Sequence, residues 1–135
     1  MPAAAKARSD GGAEAFVRYW VAMVNFAQST GETTSLKSLN EPACSGCRGL
    51  VKAIDSAYAE GGRIEGGAWS ISNLRKLPLD YGAEWAAFSA ARTQPQTVVS
   101  DQQTKHFEGG PFQFYAYVDW DDGWRMRWLR TPTPS

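Results

Sequence analysis

Two cysteines three positions apart, Cys44 and Cys47, are the residues whose type and spacing most directly imply chemistry. A Cys-x-x-Cys pair ahead of a helix suits a redox dithiol, because a helix N-terminus lowers the pKa of the leading thiol. It also suits half of a metal site or a structural disulfide. Redox sites of this spacing follow a buried strand, whereas Ser38-Leu39-Asn40-Glu41-Pro42-Ala43 reads as a polar turn. Zinc asks for four ligands, and two cysteines with the single histidine, His106, do not supply them. Of the three readings the structural disulfide is favoured. Closing so short a loop contributes only about 2 kcal/mol in the chain-entropy picture. Its role is then local: fixing how the helix from Cys47 leaves the turn. A bond of this kind points to an oxidising compartment.

The other candidates are weaker. His106 sits in Gln103-Thr104-Lys105-His106-Phe107-Glu108-Gly109-Gly110, within a polar stretch from Asp101 to Gly110 that reads as a surface loop. Asp119, Asp121 and Asp122 are close in sequence, but the last two are residues that turns prefer, and the spacing is not that of a calcium loop. Arg63 and Glu65 share a strand face as a surface pair. The Gly-Gly steps precede no helix, as a phosphate cradle must, and read as bends. No cofactor and no metal is called for.

These residues must be carried by a chain whose hydrophobic period changes halfway along. Phe16, Val17, Trp20, Val21, Val24 and Ala27 recur every three or four positions, predicting an amphipathic helix capped by Asp10 and closed at Gly31. Tyr19 and Trp20 could line a pocket, though core packing is the commoner role. A short helical piece follows from Thr33 to Leu39 and stops before Pro42. Leu50, Val51, Ile54, Ala57 and Tyr58 continue the helical period behind the cysteines, until Gly61.

Beyond Gly61-Gly62 the period is near two. One strand is expected over Arg63–Asn73, a turn region over Leu77–Gly82, a strand over Glu84–Arg92 and a shorter one over Thr97–Ser100. The last hairpin is the most legible part. Phe112, Phe114, Ala116, Val118 and Trp120 share one face, and Gln113, Tyr115, Tyr117 and Asp119 the other. A two-residue turn would set Trp120 against Arg125 and mix the faces. A three-residue loop, Asp121 to Gly123, pairs Trp120 with Trp124, Val118 with Met126 and Asp119 with Arg125, with Gly123 in a left-handed position. Trp128 then joins the aromatic face.

The expected division is a flexible N-terminal segment (1–12), one α+β domain (13–130) and a C-terminal tail (131–135). At 135 residues, 43% hydrophobic and 13% aromatic, the chain can bury a substantial core. Fourteen Lys plus Arg against fourteen Asp plus Glu, without a basic cluster, excludes the electrostatic footprint of a nucleic-acid binder. No apolar run approaches the roughly 20 residues of a membrane helix. The first residues carry no signal-peptide core, so a membrane role is expected only through an anchor absent from this chain.

Helices first and mostly antiparallel strands after argue for N-terminal helices laid on a curved sheet. That order resembles the nuclear-transport-factor-two-like, or cystatin-like, cone. Gly12-Ala13-Glu14-Ala15-Phe16-Val17-Arg18-Tyr19-Trp20, then Val24-Asn25-Phe26-Ala27, resembles the opening of an actinobacterial lipoprotein family of unassigned function. Pro42 ahead of Cys44-x-x-Cys47 and the run Gly61-Gly62-Arg63-Ile64-Glu65-Gly66-Gly67-Ala68-Trp69 continue the likeness, as does Gly123-Trp124-Arg125. The resemblance implies an exported, lipid-anchored protein and brings no catalytic residues with it.

Two functions follow. One is a non-catalytic extracytoplasmic binding domain for a protein, glycan or apolar ligand. The other is a small pocket enzyme of the isomerase or dehydratase kind, which needs an acid or histidine inside its cavity. Trp20, Tyr58, Trp69, Phe114, Trp120, Trp124 and Trp128 would line such a pocket if the helices leave the sheet partly uncovered, with Glu84 or Asp80 as the candidate acids to reach in. Thiol titration without reductant should find no free thiol in protein made in an oxidising compartment; two free thiols would remove the case for export.

Overall fold

A computed structural model describes residues 1–100 and 102–131. Asp101 and nearly all of the expected tail therefore lie outside the described residues. Helix α1 (Asp10–Thr30) carries the predicted stripe inward: Phe16, Val17, Trp20, Val24 and Ala27 are fully buried. Its cap is Ser9, not Asp10. Ser9 has the extended backbone a cap requires (φ −152°, ψ 169°), and its hydroxyl accepts from the Gly12 N–H at 3.0 Å. Asp10 is already helical and instead meets Lys76 Nζ at 3.1 Å. The helix ends as expected at Gly31 (φ 79°), whose N–H bonds to Ala27 O. A Cβ at Gly31 would stand 2.7 Å from the Tyr58 ring, so glycine is required twice over.

The segment 1–12, expected to be flexible, is laid against the body. Ala5 is fully buried, and the Trp124 indole donates to Ala7 O at 2.9 Å. The Arg8 guanidinium forms a two-point ion pair with the Glu84 carboxylate. Helix α2 (Thr34–Lys37) buries Leu36, and helix α3 (Ser45–Tyr58) buries Cys47, Val51 and Ile54. Cys44 and Cys47 form the expected disulfide, both buried, and Cys44 Sγ accepts from the Cys47 N–H. The corner presses on the sheet: a Cβ at Gly46 would lie 2.6 Å from Leu129 O.

Seven strands follow, β1 (Arg63–Gly66), β2 (Trp69–Lys76), β3 (Trp85–Thr93), β4 (Gln96–Val99), β5 (Thr104–Phe107), β6 (Gly110–Trp120) and β7 (Trp124–Arg130). They pair antiparallel in the orders β1-β4-β5 and β2-β3-β6-β7. The two orders match. β1 leads to β2 through Gly67-Ala68, β3 to β4 through Gln94-Pro95, and β5 to β6 through Glu108-Gly109. The small sheet is thus the large one continued past a sharp bend, giving the α+β fold of N-terminal helices on a curved antiparallel sheet. Two expectations change accordingly. Arg63–Asn73 is two strands, because Gly66 and Gly67 (φ 74° and 83°) break it. The stretch expected as a loop around His106 is β5, paired to β4 with Thr97 opposite His106.

The hairpin register is the predicted one at Trp120–Trp124, Asp119–Arg125 and Val118–Met126. One residue later it slips: Tyr117 pairs with Trp128, and Arg127 is the extra residue of a bulge. The slip turns Trp128 out of the aromatic inner face and turns Leu129 in. Trp128 is 45% exposed and stacks on Tyr117, with ring centroids 5.0 Å apart. The outer face is therefore aromatic too, with Tyr117, Ala83 and Ala86 buried in a second small cluster. A similar bulge at Asn73 (φ 56°) shifts β2, so that Trp69, Ile71 and Leu74 all pack on the core.

The double variant Cys44→Ser/Cys47→Ser should lose about 2 kcal/mol of stability. That corresponds to a fall of several degrees in Tm by calorimetry. An unchanged Tm would mean that Gly46 and the helix cap hold the corner without the bond.

Candidate functional site

The bend in the sheet leaves room that helix α3 does not fill. The inner face of the small sheet carries Ile64, Val98 and Lys105 in one cross-strand row. Gln96 and Phe107 lie in the next, where the β1 member is Gly66 and offers no side chain. Opposite stand Leu50, Ala53, Ile54 and Ala57 of α3, on one helical stripe. Between these walls lies an open cleft of about 520 Å³, closed at one end by Gln28 and at the other by Ser100 and Gln103. Its size falls in the range of ligand pockets.

Gln28 comes from the last turns of α1 and is 5% exposed. Its Oε1 accepts from Gln96 Nε2 at 2.7 Å, while its own Nε2 has no partner among the described residues. The phenol of Tyr58 donates to Gln28 O at 2.5 Å, locking the end of α1 to the end of α3. A buried amide N–H without an acceptor costs roughly 1–3 kcal/mol.

The aromatic residues expected to line a pocket are spread differently. Trp20 and Phe114 are fully buried in the core, with the Trp20 indole donating to Asn40 Oδ1 at 2.8 Å. Trp69 packs edge-on to Phe112 at 5.1 Å. Tyr58 stands behind the cleft. Trp120 and Trp124, edge-to-face at 5.4 Å, line a separate hollow with Met1, Ala5 and Lys6. Trp128 belongs to the outer face, beside Tyr81, Tyr115 and Arg130. The structure does not bring the seven together.

Neither acid named as a candidate reaches the interior. Glu84 is paired to Arg8, which holds its carboxyl below the usual range through their hydrogen bond. Asp80 accepts from Gly82 N in an exposed turn. His106 is exposed on β5, its Nδ1 3.1 Å from Thr97 Oγ1. Asp119 accepts from the Glu84 N–H and pairs with Arg127 on the outer face; Arg63 and Glu65 are the expected surface pair at 2.7 Å. Among the described residues no three His, Cys, Asp or Glu side chains are grouped to hold a metal ion.

Sequence reasoning missed Glu41. It lies where the Asn40 strand segment bridges to Met126, and its N–H bonds to Met126 O at 2.8 Å. Desolvation raises its carboxyl pKa, and the adjacent Asp119 adds to the rise. It lines a second hollow, with Arg48, Lys52 and Asp55, on the far side of α3 from the cleft. Nothing in the local sequence marks Glu41, because its neighbour Asp119 is 78 positions away. The cleft had a fainter signal, in the alternation of Gln96, Val98 and Ser100 against the stripe Leu50, Ile54 and Ala57.

A family profile matches residues 1–128. The chain belongs to a family of unknown function, DUF6318. No curated protein matches the sequence. Among solved structures, the DUF6318 chain is similar to the intermembrane space region of the chloroplast protein ARC6, at 13% identity with a TM-score of 0.61 over 95% of this chain and 100% of that one. A variant of Rv3472, a function-unknown protein from Mycobacterium tuberculosis, matches at 16% identity, TM-score 0.52, covering 89% of this chain and 70% of its own. A periplasmic fragment of TraM matches at 16% identity and TM-score 0.51, over 95% of this chain and 100% of that one. At these identities the likeness establishes the fold alone.

A carboxyl whose pKa is raised by folding favours the native state at pH below its unfolded pKa and loses that contribution as pH climbs through the folded value. Glu41→Gln, which keeps a donor toward Asp119, should therefore stabilise the DUF6318 domain at pH 7 by up to about 1 kcal/mol and be neutral near pH 3. Urea denaturation at the two pH values checks this. Destabilisation at pH 7 would show that the charged form is the one the fold prefers.

Proposed function

We propose that this protein is a non-catalytic binding domain that works outside the cytoplasm and holds an apolar ligand in the cleft between α3 and the small sheet. The observation that carries the reading is the cleft itself, walled by Leu50, Ile54, Ala57, Ile64, Val98 and Phe107. Phe107 is half exposed there, an apolar ring facing water at the mouth. The centre of the cone, where an isomerase-type enzyme would keep its cavity, is filled instead. Phe16, Trp20, Phe114, Val118 and Met126 are all fully buried in contact with one another's cluster. Among the described residues the one carboxyl with a raised pKa, Glu41, stands on the other side of α3 from the cleft.

The compartment rests on the buried Cys44–Cys47 bond, which a reducing cytosol does not maintain. A periplasmic fragment and an intermembrane-space region among the similar structures accord with it. Among the described residues no helix is long and apolar enough to cross a membrane. The resemblance of the first seventy residues to actinobacterial lipoproteins supplies the anchor: the natural precursor should carry an upstream lipidated cysteine, and mass spectrometry of membrane-extracted protein should find an acylated N-terminus.

The purified protein should enhance the fluorescence of 1-anilinonaphthalene-8-sulfonate through the cleft. Ala53 is exposed on the α3 wall, so Ala53→Trp fills the cleft without touching the core. It should weaken dye binding on the order of tenfold, as an overpacked site does. Unchanged binding, or none in the parent protein, would sink the reading.

A further inference from the structure

We infer that the outer face of the large sheet binds an acidic oligosaccharide, with sugar rings stacked on Trp128 and Tyr81 and carboxylates held by Arg130 and Arg75. The site does not depend on the cleft. Charge points to it first. The whole chain is balanced, fourteen basic residues against fourteen acidic. Strands β2, β3, β6 and β7 are not: they carry Arg75, Lys76, Arg92, Arg125, Arg127 and Arg130 against Asp119 alone. Asp119 is already taken by Arg127. Among the described residues Arg75, Arg92 and Arg130 pair with no carboxylate. A guanidinium grips a carboxylate by two parallel hydrogen bonds, so the face is complementary to an anion.

Between those arginines lie rings. The cross-strand row Arg75, Phe88, Tyr115, Arg130 has a guanidinium at each end, and its two rings stand 5.2 Å apart. Three strand spacings of about 4.8 Å separate the ends. The next row, Ala86, Tyr117 and Trp128, extends the aromatic surface, and Tyr81 meets Tyr117 edge-on at 6.1 Å from the turn that follows β2. A hollow of about 410 Å³ lies along these rings, beside Leu77, Pro78 and Arg130. Tyr81 is 69% exposed and sits at φ 53°, a left-handed backbone that a bulky residue rarely adopts. Arg127 holds the turn in that shape by donating to Gly82 O at 2.7 Å. Strained backbone gathers at binding sites, and here it presents a ring to solvent.

The occupant follows from what the face offers. A second copy would set arginine against arginine. A folded partner needs about 800 Å² and roughly 20–30 residues from each side, more than this trough supplies. A peptide laid over β3 and β6 finds their backbone groups already paired on both sides, and its own are left to side chains alone. Single-stranded nucleic acid also stacks on rings, but the proposed extracytoplasmic compartment favours a glycan. A sugar ring carries no peptide backbone to satisfy. Its C–H face covers an aromatic ring, while its hydroxyls meet the tyrosine tips, the indole N–H and the guanidinium forks. Uronic acids add the carboxylates.

Titration with tetragalacturonate, followed by NMR, tests this. The Trp128 indole N–H resonance should shift, which requires no variant to fold. Arg130→Ala, a change at an exposed side chain, should weaken binding about tenfold, as should Trp128→Ala. Ala53→Trp should leave it unchanged. Cellotetraose, the uncharged counterpart, should bind at least about tenfold more weakly than the uronate. Equal binding of the two sugars would overturn the proposal by removing the arginines from it. Tetraglutamate or a thymidine tetranucleotide moving the Trp128 resonance at lower concentration would overturn it in favour of an acidic peptide or a nucleic acid strand. Loss of tetragalacturonate binding in Ala53→Trp would overturn it by moving the ligand to the cleft. No shift at Trp128 up to millimolar tetragalacturonate would end the proposal and leave the cleft reading untouched.

Discussion

The structure depends on holding the line where the sheet bends. Three two-residue crossings lie side by side there, and the first two are bonded to each other: Gly67 N–H to Pro95 O at 3.0 Å and Gln94 N–H to Ala68 O at 2.9 Å. Glycine lets the backbones approach. A Cβ at Gly66 would be 2.3 Å from Pro95 O, and one at Gly109 2.5 Å from Thr93 O. The bend is then fixed to the helical layer by side chains of α1. Asn25 of α1 accepts from Trp69 N–H at 2.8 Å and donates to Trp69 O at 2.9 Å, satisfying both backbone groups of the first residue past the crossing. A two-point amide clamp of this kind fixes direction as well as distance, which a hydrophobic contact does not. With Trp69 set, its ring meets Trp20, Phe112 and Phe114, and the large sheet acquires its seat on α1.

The same bend explains what could and could not be read from the residues. α1 and the tip of the last hairpin were legible because each rule involved acts within a few positions: a 3.6-residue stripe, a glycine at C′, and cross-strand parity around a three-residue loop. Parity also marks the bend itself. Ile64 faces inward on an even position, but Trp69 and Ile71 do so on odd ones, which a single flat strand does not allow. The change of phase falls at Gly66-Gly67. At Arg127 no such warning exists. A bulge is set by how β7 must curl over α3 at the disulfide corner, where Gly46 presses on Leu129, and this long-range demand overrides the local alternation that put Trp128 inside. The packed N-terminal segment is a third case. Residues 1–9 are small and polar, and what orders them is distant: the Trp124 indole reaching Ala7 O, and Glu84 reaching Arg8.

Within this architecture the cleft is a consequence and not an addition. α1 is long enough to cover the large sheet, and its aromatic and aliphatic stripe fills the concavity there. α3, packed at its start on β7 where Gly46 meets Leu129 and bonded at its end to α1 by Tyr58, cannot also lie across β4 and β5. Closing that gap would take either a longer helix or larger side chains than Ala53 and Ala57. Small residues at the two positions nearest the strands keep the space open, while Val51 and Ile54 on the same helix are buried and packed.

A buried orphan alone is a poor sign of a ligand, and the protein provides its own control. The Trp85 indole N–H is also buried without a partner among the described residues, yet Trp85 lies on the core face of β3 and is no part of the cleft wall. Its N–H is a loss accepted for the packing of a large ring, since a tryptophan that fills a core site contributes far more through burial than one unmade hydrogen bond removes. Gln28 is compensated differently: its Oε1 accepts from Gln96 Nε2 at 2.7 Å, and only its donor is unmet among the described residues. A leucine there would remove the unmet donor of Gln28 but take away the acceptor of Gln96 Nε2. The two differ in place: Gln28 stands at the edge of the cleft with its oxygen held by Gln96, whereas Trp85 lies on the core face of the large sheet.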